Sequence, residues 1–148
     1  LRRANAPNEI IEISKTRLKN YIDFYHPPTP MIWNYMAWSA LDRGEPILGE
    51  WFARCALYLQ PQTPWGYHSL AVSLMEQDRS QEALDVLNQC IKKDSTGIHK
   101  RKFYPLIYAV YIDKDMKQAS LLIKEAEAKG EFINPIYKRR AGIRNTVN

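Results

Sequence analysis

Residues that carry chemistry are scarce in this chain: three histidines and two cysteines among 148 residues. His26, His68 and His99 are scattered, and there is no His-Glu-x-x-His pair, no Cys-x-x-Cys pair and no nucleophile elbow around a serine or cysteine. These gaps leave no candidate catalytic residue, no metal ligand set and no cofactor motif, so catalysis is not expected of this stretch. No run approaches the roughly 18 apolar residues of a membrane-spanning helix, so any anchor is expected outside it. The first residues, Leu1-Arg2-Arg3, carry no apolar core of a signal peptide and no initiating Met, which points to a piece excised from a longer protein.

What remains is the composition of a globular domain. Hydrophobic residues make up 45% and charged residues 25%, which excludes disorder for the bulk of the chain. At this length one domain is expected, large enough to bury about two thirds of its extended surface without a disulfide or metal. A net charge of +5 leans toward an acidic partner. The cations are spread over helix faces, however, and no nucleic-acid motif stands beside them. The densest run, His99–Lys102, is a candidate anion contact by charge alone, or a solvated turn.

The chain is organised around one hairpin written twice. Displaced by 34 residues, Pro30 and Trp33 fall on Pro64 and Tyr67, Met36 and Ala37 on Leu70 and Ala71, and Gly49 on Ala83. Ala53 then falls on Leu87, Ala56 on Cys90 and Pro61 on Ser95. This period, with an early aromatic, small residues inside both helices and a closing proline, resembles the tetratricopeptide repeat family. The resemblance implies an all-α solenoid of about three helical hairpins with a capping helix at each end, in a single domain.

In chain order, Asn8 caps a helix over 8–25 whose apolar face is Ile10, Ile13, Leu18, Tyr21, Ile22 and Tyr25, and Pro27, Pro28 and Pro30 end it. The first repeat, 30–63, holds helices Met31–Asp42 and Pro46–Leu59, with Trp33, Trp51 and Phe52 filling the space between layers. The second, 64–99, holds a helix from Pro64 to about Gln77, a turn at Asp78-Arg79 and a helix Ser80–Lys93. A third, degenerate repeat, 100–130, is displaced by 36 residues. It aligns Phe103, Leu106, Ile107 and Val110 with Tyr67, Leu70, Ala71 and Leu74, and Ala119, Ile123 and Ala126 with Ala83, Leu87 and Cys90. Pro105 is expected to break its first helix unless it lies in the first turn. Asn134 and Pro135 open a last short helix within 134–144. Cys55 and Cys90, at nearly equivalent places on the second helices of adjacent repeats, are expected to stay unlinked and buried as small core residues.

In the tetratricopeptide arrangement the first helices of the hairpins line a concave groove. The resemblance therefore implies a ligand-binding face made of Asn34, Trp38, Trp65, His68, Arg101, Tyr104, Tyr108 and Tyr111, with Leu41, Val72 and Met75 between them. Aromatic rings with hydroxyls suit an extended peptide, or the apolar faces of a sugar chain. Terminal helices folded into the groove satisfy the same stripe. The carboxylate-clamp pattern of the family's chaperone-binding members is matched only by the polar character of Asn34, so that activity is not implied. A second resemblance covers Gly44-Glu45 and Gly49–Pro61. That stretch is similar to the tetratricopeptide-like periplasmic region that follows the last membrane span of bacterial O-oligosaccharyltransferases and surface-polysaccharide polymerases. It implies a membrane-associated parent, a periplasmic setting and contact with acceptor protein or oligosaccharide, the transfer chemistry residing elsewhere in the parent.

Overall fold

The computed structural model describes Thr16 and residues 31–143. The expected capping helix over 8–25 lies outside the described residues except for Thr16, as do residues 144–148. Every regular element among the described residues is helical. Two compact units divide between Lys93 and Asp94.

The first unit is built from α1 (Met31–Asp42), α2 (Pro46–Leu59), α3 (Pro64–Met75) and α4 (Ser80–Lys93). Pro46 and Pro64 open α2 and α3, where a missing N–H costs no helical bond. The two hairpin turns use one device. After α1, Gly44 takes a positive φ of 74°, Gly44 N–H donates to Leu41 O and Glu45 N–H to Ala40 O. After α3, Asp78 takes φ 58°, with Asp78 N–H bonded to Met75 O and Arg79 N–H to Leu74 O. Both bond sets satisfy the last carbonyls of a helix and reverse the chain. α3 ends at Met75, two residues before the sequence-based boundary, because the left-handed Asp78 needs the preceding turn to unwind.

Within this unit α1 packs on α2, α2 on α3, α3 on α4, and α1 also touches α3. Small residues set those crossings: Ala37, Ala40, Ala53, Ala71 and Ala83 are fully buried. At Gly49 a Cβ would meet Ser73 Oγ at 3.0 Å, Leu41 Cγ at 3.1 Å and Ala37 O at 3.3 Å, so a side chain would press on α1 and α3 together. Trp33 and Phe52 are buried between α1 and α2 with ring centroids 6.1 Å apart, while Trp51 stays half-exposed beside Phe52. α3 is buried from His68 through Met75 and runs as the unit's central helix. Cys55 and Cys90 are buried and form no disulfide; burial pushes the Cys55 thiol up to about 12.

One charged cluster ties the two hairpins. Glu50 on α2 is fully buried, and its Oε2 accepts from Arg54 Nε at 2.9 Å and pairs with Arg54 Nη2 at 2.8 Å. Its Oε1 accepts from Arg79 Nη1 at 2.6 Å and from Gln77 Nε2 at 3.0 Å, and Arg79 also grips Glu82 at 2.6 Å. Burial works against the Arg79 charge, but Glu82 and Glu50 outweigh it and hold the guanidinium more firmly protonated. A carboxylate removed from water is tolerable only with such saturation.

The second unit holds α5 (residues 99–112), α6 (Met116–Ala128) and α7 (Pro135–Arg140). α5 does not break at Pro105. Its turns widen to π geometry over His99–Phe103 and Tyr108–Ile112, flanking a short α segment, Tyr104–Ile107. Tyr104 N–H reaches back five residues to His99 O, and the wider turn makes room for a ring that would collide in a regular α-helix. Ala119, Ile123 and Ala126 form the buried face of α6, and Asn134 caps α7 through Ile136 N–H. No helix of the described residues is long and apolar enough to cross a membrane.

Two measurements check this packing. Ala83→Leu overfills a crossing with no exposed surface and is expected to lower unfolding free energy by about 1–3 kcal/mol, whereas Ala128→Leu, on an exposed turn, should change it little; equal losses in chemical denaturation would contradict the packing. Glu50→Ala strands two guanidiniums beside an apolar core and is expected to cost about 3 kcal/mol. A loss below about 1 kcal/mol, the range of exposed pairs, would show that the cluster is solvated.

Candidate functional site

In the first unit, Trp38, Trp65 and His68 come together. The His68 ring stands edge-on to Trp38 at 5.0 Å and 80°, and is stacked with Trp65 at 6.1 Å and 29°. Trp38 and Trp65 remain half-exposed, whereas His68 is buried. Asn34 is also buried: its Oδ1 accepts from Ser69 Oγ at 2.7 Å and so ties α1 to α3. Leu41, Val72 and Met75 belong to the core. Two of the four residues read as ligand contacts in this unit are therefore interior groups, and the surface that remains is indole.

In the second unit Tyr104 and Tyr108, one turn apart on α5, have ring centroids 4.7 Å apart, and Tyr104 Oη donates to Tyr108 Oη at 3.0 Å. Burial, with the hydrogen bond to Tyr108 and the repulsion of a second phenolate, pushes Tyr104 up to about 12. The Tyr104 phenol therefore keeps its proton at neutral pH and spends it on Tyr108 Oη, so the pair offers a hydroxyl donor and acceptors on a flat aromatic face. Tyr111 is half-buried. Arg101 is exposed, and its Nη1 donates to Thr96 O at 3.0 Å, across the loop that Gly97 turns with φ 70°.

That loop holds a polar cluster that the sequence reading missed. The Asp94 carboxylate accepts from Thr96 Oγ1 at 2.9 Å, from His99 N–H at 2.8 Å and from Lys100 N–H at 3.4 Å, satisfying the first donors of α5. Burial alone would raise the Asp94 pKa; these hydrogen bonds and nearby His99 outweigh it, and the carboxyl stays below its usual range. His99 lies 3.6 Å from Asp94 and 5.3 Å from the Phe103 ring, and its burial outweighs the pull of Asp94 and holds the imidazole neutral below its ordinary 6.5. The spacing Asp94-x-Thr96 before a helix start carries this signal. Glu50 was missed as well, although its four-residue spacing to Arg54 is legible.

Among the described residues no group of three or more His, Cys, Asp or Glu is placed to hold a metal ion. Comparison with protein-family models, curated proteins and solved structures finds no match to this chain.

The depressed His99 value carries a pH consequence. Its neutral form stabilises the folded state fully above 6.5, and that contribution is lost as pH falls through the lower folded value. His99→Gln should therefore flatten the fall of melting temperature as pH is lowered from 6.5. Parallel curves for the variant and the parent chain would overturn the assignment.

Proposed function

We propose that this chain is a non-catalytic, tetratricopeptide-like binding module, a solenoid of helical hairpins that recognises an extended protein segment through aromatic rings on the first helices of its hairpins. One observation carries the reading: α1 and α3 are each 12 residues long, α2 and α4 each 14, with Gly49 and Ala83 buried at equivalent crossings. Such repeated hairpins suit display of side chains along a peptide rather than enclosure of a small substrate. Trp38, Trp65, Tyr104, Tyr108 and Tyr111 are the contacts of this reading, with Arg101 as a charged contact, while His68 packs against both indoles and Asn34 ties α1 to α3 through Ser69. A second reading, an accessory region of a glycan-transferring membrane protein that touches acceptor protein or oligosaccharide, is favoured by the Tyr104–Tyr108 pair, whose hydroxyls and ring faces suit sugars.

Titration of the chain with a library of extended peptides and with neutral oligosaccharides separates the two. The first reading expects saturable peptide binding that Trp65→Ala or Tyr108→Ala weakens by about 1 kcal/mol or more, with melting nearly unchanged. Binding of oligosaccharide alone favours the second. A stability loss of about 3–5 kcal/mol on Tyr108→Ala would make that ring core and remove it from either site.

A further inference from the structure

α1 and α3 are the first helices of their hairpins, and a displacement of 34 residues carries Ile32, Tyr35, Met36 and Ser39 of α1 onto Gly66, Ser69, Leu70 and Ser73 of α3. On α3 these four are buried, and the preceding hairpin covers them. A Cβ on Gly66 would stand 2.9 Å from Leu57 Cδ2, Asn34 Oδ1 accepts from Ser69 Oγ, and Ser73 Oγ lies 3.0 Å from where a Cβ on Gly49 would be. On α1 the equivalent four are exposed, and three of them are large and apolar, with Tyr35 at 67%. The spacing i, i+3, i+4, i+7 puts them in one stripe, separate from the Trp38 side of the helix.

What covers this face on α3 is helix, so the occupant that fits α1 is an amphipathic helix with an apolar stripe of the same spacing. Residues 8–25, just before α1, supply that pattern: Leu18, Tyr21, Ile22 and Tyr25 repeat i, i+3, i+4, i+7. The residues 26–30 that join the segment to α1 match in length a connection between antiparallel helices. Reversed about that connection, the two stripes fall in register: Tyr25 on Ile32, Ile22 on Tyr35, Tyr21 on Met36 and Leu18 on Ser39. Thr16, the one described residue of the segment, is helical and exposed, and its position on a helix is opposite that stripe.

We propose that the face of α1 made by Ile32, Tyr35 and Met36 is the docking face for residues 8–25 of the same chain, paired antiparallel in that register. Large side chains on both sides replace the Gly66 and Ser69 of the α3 crossing, so the axes stand toward the wide end of the roughly 8–10 Å range of packed helices. Burial of the two stripes removes their apolar surface from water, which drives the docking. The inference is independent of the peptide-binding reading, whose contact on α1 is Trp38.

Hydrogen exchange of the full chain, read by mass spectrometry, tests the pairing. Amides of residues 18–25 should exchange more slowly, by about tenfold or more, than those of an isolated peptide of residues 8–25. Tyr35→Asp should abolish that protection while the amides of α3 and α4 keep theirs, and Ile22→Lys should do the same. The double variant, which sets opposite charges in the contact, should recover most of it. Peptide-like exchange in the parent chain, or a Tyr35→Asp chain with protection intact, would overturn the proposal. So would a concentration-dependent dimer in sedimentation that Tyr35→Asp dissolves, which would assign the face to a second copy.

Discussion

Three helices converge on the missing side chain of Gly49. Ser73 of α3 and Leu41 and Ala37 of α1 approach within 3.3 Å of where its Cβ would stand, so α2 lies against both neighbours at once. The rest of the first unit follows from that approach. Ala37, Ala53, Ala71 and Ala83 keep adjacent crossings equally close, and Trp33 and Phe52 occupy the space left where the helices diverge. Close approach also encloses polar groups on α3, and these are satisfied inside: Ser73 Oγ donates to Ser69 O, and Ser69 Oγ to Asn34 Oδ1. Unsatisfied, each would cost free energy comparable to a lost hydrogen bond.

The Glu50 cluster acts on a different scale. An ion pair in the interior gains little over apolar packing of the same volume, yet it becomes costly when one partner leaves. Its geometry is therefore demanding: two guanidiniums and an amide must reach one carboxylate, and Arg79 and Gln77 do so only when the α3–α4 turn lies over α2. The second unit uses backbone rather than charge to absorb a misfit. Pro105 denies α5 one hydrogen bond and crowds the preceding turn, and the π turns on either side take up the difference while Leu106, Ile107 and Val110 stay buried.

The surface chemistry of the two units differs accordingly. In the first, charge balances, and two half-exposed indoles, Trp38 and Trp65, flank the buried His68. In the second, paired phenols lie on a helix whose first turn is basic.

Helix boundaries were legible in the sequence because they are written locally. Proline at a first helical position, a left-handed Gly44, and Asn134 before Pro135 act within a few residues of themselves, and α1, α2 and α4 run over the expected residues. The buried faces of α4 and α6 were legible for the same reason, since small and apolar residues repeat at helical spacing. The ligand face was less so. Asn34 and His68 sit at the same helical register as Trp38 and Trp65, and spacing alone does not say which of them a neighbouring helix covers. By itself, then, the sequence determined that the chain is helical, where most helices start and stop, and which faces turn inward. Only the tertiary structure decided that Asn34 and His68 are interior, that Glu50 is paired by residues 27 and 29 positions away, and that Pro105 is carried inside a helix, because burial, pairing and strain depend on which distant segments meet.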